Sequence, residues 1–169
     1  TRPRGKVVWL ENGDQDLILL KTDSIYAFEG IAAEVGRRLS ETLGRDLNGK
    51  AVLTTTHSHA MPANWDKGFT WFLGGDRFNR EVFERQVAAL TDLALAAHDD
   101  LEPVALGLGQ QTDWDPDDAV YTDRRENNDD LVFFEDIPAG PYKDPYLSVL
   151  RVDALDDGRP KALLLSFGI

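Results

Sequence analysis

There is no cysteine among the 169 residues, which excludes disulfides and thiolate metal sites and leaves His, carboxylate or Tyr as the side chains able to hold a metal. The absence does not choose a compartment, since exported proteins also do without Cys. Basic residues are scarce. Eighteen Lys plus Arg stand against thirty Asp plus Glu, a formal charge of -12, so a phosphate backbone is repelled and nucleic acid is excluded as a partner. No apolar run approaches the roughly 18 to 20 residues a spanning helix needs. The opening Thr1-Arg2-Pro3-Arg4 lacks the apolar core of a signal peptide. Internal repeats are absent, and no linker composition divides the chain.

What is present is a hydrophobic content of 42%, enough for one α/β domain, or a piece of a larger one, to bury a core. The chain opens on Thr and closes on the apolar string Leu163-Leu164-Leu165-Ser166-Phe167-Gly168-Ile169, which reads as a buried strand, so both ends are expected to be cuts. Lys6–Leu10 and Asp16–Leu20 are β-rich runs around the turn formers Glu11-Asn12-Gly13-Asp14, a hairpin signature. After Thr22-Asp23-Ser24, which offers N-cap oxygens, apolar residues recur at Ile25, Phe28, Ile31, Ala32, Val35, Leu39 and Leu43 with helical period, ending at Gly44. Ala51–Thr56 is the next strand, expected in the sheet interior. The strand, helix, strand order predicts a parallel pair with a crossover helix, whose ligand sites favour the carboxyl ends of strands. A second helix from about Asp76 to Asp99 carries Phe83, Val87, Leu90, Ala94 and Ala97 on one face, and Pro103 closes it before a strand at Val104–Leu108.

From Gln110 to Pro145 the sequence turns acidic, Gly- and Pro-containing and poorly periodic, and is expected to be the least regular stretch. Leu147–Val152 and Lys161–Ser166 flank Asp156-Asp157-Gly158, a second hairpin signal. The expected fold is therefore α/β: a mixed sheet with crossover helices packed on it, two hairpins and a long irregular acidic loop, with residues 1–169 forming a single segment.

Two of only three histidines stand in Thr54-Thr55-Thr56-His57-Ser58-His59-Ala60-Met61-Pro62, at the end of an apolar strand. Alternation in an extended chain directs positions i and i+2 to one side. Both imidazoles can then face one cleft, where one nitrogen binds zinc and another holds a substrate oxygen. Two polar residues capping a strand end are the alternative reading. A catalytic zinc site also usually needs three protein ligands.

The segment Ala51–Pro62 resembles the Thr-His-Thr-His-Ser-Gly-Pro motif of neutral/alkaline, non-lysosomal ceramidases. The surroundings agree in order: a strand ending in Asp (Leu17–Asp23), a long helix, the His-x-His strand, another helix and an Arg-containing loop. Asp144-Pro145 then leads into Leu147–Val152, followed by Asp157-Gly158-Arg159-Pro160-Lys161-Ala162, similar to the family's strand pair around an Asp-Gly-Lys-Pro turn. The resemblance runs from Lys6 onward and is strongest at the double-His motif. It implies that His57 is a zinc ligand and that His59 lies beside the metal and assists the reacting carbonyl or water. The family's Asn-Arg pair finds its nearest match in Asp123-Arg124, which makes Arg124 the implied anion or oxyanion contact; Asp replaces Asn there. A further His ligand follows the family's second hairpin strand, where this sequence stops, and a Glu and a Tyr ligand lie farther along. The resemblance thus implies that the segment alone holds zinc poorly and needs the remaining part of the catalytic domain. It also implies a lipid-like amide substrate and an exported or outward-facing location. Ser58, Ala60 and Met61 depart from the family's Thr, Ser and Gly, which leaves the metal chemistry intact and the ceramide substrate open.

Other features carry less. Asp113-x-Asp115-x-Asp117 imitates a calcium loop, but Asp118 replaces the required Gly and Arg124 the required Glu. Gly107-x-Gly109 precedes no helix pattern, so a dinucleotide fingerprint is unsupported. His98 suits the last turn of the second helix as a structural residue. Asn64-Trp65 and Phe69-Thr70-Trp71-Phe72 either wall an apolar cleft or pack in the core.

Three functions are consistent with these residues: a ceramidase-like zinc amidohydrolase, another metal hydrolase on the same scaffold acting on a different amide or ester, and a non-catalytic binding module.

Overall fold

The computed structural model describes residues 4–68, 77–117, 119–120 and 144–167. Strand β1 (Gly5–Asn12) pairs antiparallel with β2 (Gln15–Thr22) through a two-residue connection. Gly13 there takes φ 65°, a conformation glycine reaches without a Cβ clash. Helix α1 (Glu29–Leu43) then carries the chain to β3 (Ala51–Thr55), which lies parallel to β2. Helix α2 (Arg80–Asp99) follows. Strands β4 (Val104–Thr112), β5 (Tyr146–Ala154) and β6 (Pro160–Phe167) form a separate antiparallel sheet.

The α/β class is as expected, but the strands divide between two three-stranded sheets, ordered β1-β2-β3 and β4-β5-β6. They belong to two compact units, residues 1–101 and 102–169. No described helix is long and apolar enough to cross a membrane.

In the first unit, alternation sends Val7 and Trp9, Ile18 and Leu20, and Ala51 and Leu53 to one face, paired across the strands by the observed register. Ile31, Val35 and Leu39 of α1 and Val87, Leu90 and Ala94 of α2 close over that face, and Ile18, Leu20, Val35 and Leu39 are fully buried. Gly44, at φ 67°, ends α1 with its N–H donating to the Ser40 carbonyl. Asn79 caps α2, its side chain accepting from Glu81 N and Val82 N. The Arg38 guanidinium joins the helices, bonding Glu34 on α1 and Glu84 on α2.

Three expectations are corrected. Helix α1 starts at Glu29 rather than beside Thr22-Asp23-Ser24, and its N-cap Phe28 makes no side-chain cap. The intended caps are engaged elsewhere: the Asp23 carboxylate accepts from Arg4 N at 3.0 Å and from Thr56 Oγ1 at 3.2 Å, and Ser24 Oγ donates to the Tyr26 carbonyl. Strand β3 is not interior. Among the described residues it is the edge of its sheet and β2 is central. Finally, Gln110–Thr112, placed in the irregular stretch, continue β4 opposite Ser148, Leu147 and Tyr146, because a backbone ladder needs only a partner strand and not an apolar pattern of its own.

Beyond β4, Trp114 N donates to the Pro145 carbonyl at 3.2 Å and the Trp114 ring meets Phe167 edge-on at 5.0 Å. The base of the acidic excursion is thereby pinned, while most of the excursion lies outside the described residues. In the second unit apolar side chains occur on both faces of the sheet, and Leu108 is 81% exposed.

Two stability measurements follow. Leu20→Ala removes a fully buried side chain and is expected to cost about 2–5 kcal/mol in denaturant melts, whereas Leu108→Ala is expected to stay within about 0.5 kcal/mol. An equal loss for both would contradict the burial pattern. The second concerns Glu34. The hydrogen bond from Arg37 does most to hold its carboxyl down at about 2, against partial burial and with Arg38 assisting. A carboxyl depressed in the folded state contributes stability above its unfolded value and loses it as pH falls through the folded one. Glu34→Gln is therefore expected to be less stable than the parent near neutral pH and to converge with it between the ordinary 4.5 and about 2, in melts at stepped pH.

Candidate functional site

The parallel pairing of β2 and β3 aligns Thr22 with Thr55, so both strands end side by side and both following segments leave the same edge of the sheet. Thr56 N donates to the Thr22 carbonyl at 3.2 Å, one residue beyond β3. Thr56 Oγ1 then reaches Asp23 Oδ1. The backbone turns sharply next: His57 has φ 57°, a left-handed conformation that His tolerates better than most residues with a Cβ.

That turn swings the His57 ring back over the β2–α1 connection, where Nδ1 bonds the Ile25 carbonyl oxygen. A carbonyl only accepts, so Nδ1 carries the proton and Nε2 of the neutral ring is unprotonated. His59 Nε2 lies 3.4 Å from His57 Nε2, with ring centroids 4.9 Å apart and ring planes at 85°. Since the His57 nitrogen is an acceptor, the proton shared between them comes from His59 Nε2–H. Both rings are exposed.

The two imidazoles therefore meet, as expected, but not by strand alternation. Strand β3 has ended, and the left-handed turn at His57 makes the encounter. Arg124, the third expected site residue, lies outside the described residues, as does Phe69-Thr70-Trp71-Phe72. Trp65 is only 1% exposed and belongs to the core cluster of the first unit, which decides its two readings in favour of packing. His98 packs edge-on against Trp9 at 4.9 Å, in keeping with a structural role.

Two residues escaped the sequence reading. Tyr26, next to the carbonyl that holds His57, donates its hydroxyl to Asp66 Oδ2, and Asp66 Oδ1 accepts from Gly68 N at 2.8 Å. Burial, then the Asp66 hydrogen bond, push the Tyr26 phenol up, so it stays a protonated donor. Nothing in composition or periodicity marks this pair, which is separated by 40 positions.

The donor chemistry at His57 fits zinc: a neutral imidazole whose second nitrogen is held by a backbone carbonyl is the arrangement metal-bound histidines adopt. Among the described residues no group of three or more His, Asp or Glu side chains gathers around one point.

No protein-family model matches the chain, and no curated protein does. Solved structures do. Neutral ceramidase from Pseudomonas aeruginosa superposes with a TM-score of 0.67 at 20% identity, covering 92% of this chain and 24% of that one. A ceramidase complexed with C2 gives 0.69 at 20% identity, covering 99% and 25%. This chain has the fold of part of neutral ceramidase. It spans about a quarter of the length of those ceramidases, and at this identity the likeness establishes the fold alone. Within that ceramidase-like fold, the double-histidine turn stands at the carboxyl ends of a parallel strand pair, the position open α/β sheets favour for ligands.

Proposed function

We propose that this chain forms part of a zinc-dependent hydrolase that cleaves an N-acyl amide bond in a lipid-like, ceramide-type substrate. The observation that carries the reading is the unprotonated Nε2 of His57, fixed by the Ile25 carbonyl and set 3.4 Å from His59 Nε2. The ceramidase-like fold supports it.

In this reading His57 would hold zinc through Nε2, together with ligands from outside the described residues. Zinc, where bound, supplies Lewis acidity for attack on the amide carbonyl. His59 has the proton-handling role. Once the His57 lone pair is engaged, the His59 Nε2–H loses its acceptor and becomes available to the substrate oxygen, as a donor to the developing oxyanion or a carrier of the proton to the leaving amine. Asp23 and Thr56 hold the turn in place. Arg124 is proposed as a second contact to the oxyanion.

The test compares metal content with turnover in the polypeptide of ceramidase length that carries this chain. His57→Ala is expected to lose zinc and activity together, because a missing nitrogen donor leaves too few ligands. His59→Ala is expected to keep its zinc while turnover of a short-chain N-acylsphingosine falls by about 10²- to 10⁴-fold. Full zinc occupancy in His57→Ala would refute the ligand role. Near-normal turnover in His59→Ala would remove the catalytic one, and a panel of other N-acyl compounds and esters reads out the substrate class.

A further inference from the structure

The carbonyl that fixes His57 belongs to the peptide unit joining Ile25 to Tyr26, so whatever orients that plane also decides which imidazole nitrogen carries the proton. Among the described residues, three bonds bear on it. Ser24 Oγ donates to the Tyr26 carbonyl at 3.4 Å, Asp23 takes the Thr56 hydroxyl at 3.2 Å, and the Tyr26 hydroxyl reaches across to Asp66. The first two are contacts of the segment's own backbone and its nearest neighbour. The Tyr26–Asp66 bond ties the Ile25–Tyr26 unit to the segment that follows the double-histidine turn, since Asp66 lies seven residues beyond His59. That segment is itself anchored: Asp66 Oδ1 accepts from Gly68 N, Asn64 O accepts from Asn79 N at 2.6 Å, and the Trp65 ring between them is buried. His57 is thus enclosed by a loop of bonds running from its own Nδ1 through Ile25, Tyr26 and Asp66 back along the chain to His59.

We propose that Tyr26 is a positioning residue for His57: by hydrogen-bonding Asp66 it holds the Ile25 carbonyl against Nδ1 and thereby keeps Nε2 free of its proton. The consequence for metal binding rests on His57 being the zinc donor, but the effect on the ring's proton does not. A phenol suits the task because burial and the Asp66 bond push its ionisation above the ordinary range, so the hydroxyl keeps the proton it donates to Asp66. Tyr26 touches no reacting atom. Its influence runs through one peptide plane to one ring nitrogen, as outer hydrogen bonds commonly act on a metal-binding histidine.

The test is long-range ¹H–¹⁵N NMR of the 169-residue chain, which has three histidines to resolve, with the imidazoles neutral. In the parent, His57 is expected as a single Nδ1–H tautomer. Tyr26→Phe keeps the ring and removes the hydroxyl; His57 is expected to move to a mixture of tautomers while His98, packed on Trp9, stays unchanged as the folding control. Asp66→Ala should reproduce the shift, and adding it to Tyr26→Phe should shift it no further, because both remove the Tyr26–Asp66 bond. Asp66→Asn, which retains a hydrogen-bonding partner for the phenol, should restore most of the parent tautomer. In the ceramidase-length polypeptide, zinc affinity is expected to fall about tenfold in Tyr26→Phe, the lower end of what outer-sphere changes cause. A His57 that keeps a pure Nδ1–H tautomer in both Tyr26→Phe and Asp66→Ala overturns the proposal whatever zinc does. A tautomer shift with unchanged zinc affinity supports the positioning role and instead rejects His57 as the zinc donor.

Discussion

The parallel alignment of β2 with β3 is the constraint on which the rest of the site depends. An antiparallel neighbour would have sent its carboxyl end to the opposite edge of the sheet, whereas the parallel register brings Thr22 and Thr55 level and releases two segments from one edge. A parallel pair needs a crossover, and α1 supplies it while burying Ile31, Val35 and Leu39 on the inner face. The same helix therefore closes the core and permits the juxtaposition of the Ile25 carbonyl with the His57 ring. With β3 at the edge of the described sheet, its outgoing segment is free to turn at once, which an interior strand with neighbours on both sides allows less readily.

The turn itself carries a local cost. A residue with a Cβ in the left-handed region costs of order 1–3 kcal/mol, and at His57 it is balanced by bonds on either side: Thr56 to Thr22 and Asp23 before it, the imidazole to Ile25 at it, and the Tyr26–Asp66 tie beyond it. The strain thus falls, held by surrounding bonds, at a residue whose ring presents an unprotonated nitrogen to its neighbouring imidazole. The net charge of -12 opposes a phosphorylated ligand.

Much of this was legible in the sequence, for reasons specific to each element. Runs of β-formers at Lys6–Leu10 and Asp16–Leu20 on either side of the turn formers Glu11-Asn12-Gly13-Asp14 located the first hairpin, and the 3.6-residue recurrence through Ile31, Val35 and Leu39 located α1, because one buried helix face imposes that period. The helix start was misread since Asp23 and Ser24 have the right chemistry for a cap but are drawn to partners 19 and 33 positions away or to the next turn. Gln110–Thr112 offered no apolar alternation, yet pair with β5 through backbone alone. The division into two sheets was hidden because periodicity says which residues face a core, never which core. At the site, His57 and His59 stood out by type and spacing, whereas Tyr26 and Asp66 are ordinary residues whose meaning is wholly positional.

Core packing and site assembly reduce to one register. Side chains alternate along a strand, so sliding β3 by one residue against β2 would turn Leu53 out of the core and expose an inner-face position to Val52 or Thr54. The same slip would carry His57 about 3.3 Å along the strand direction, out of reach of the Ile25 carbonyl, and place Thr56 or Ser58 nearest to it. Neither hydroxyl has a second ring nitrogen to leave open, so the acceptor would be satisfied and the lone pair lost. The burial of Leu53 between the sheet and its helices therefore selects, without any contact to the imidazole, the single alignment in which a backbone carbonyl meets His57 Nδ1. The placement of two exposed rings at the end of the strand pair is specified by the hydrophobic packing beneath it.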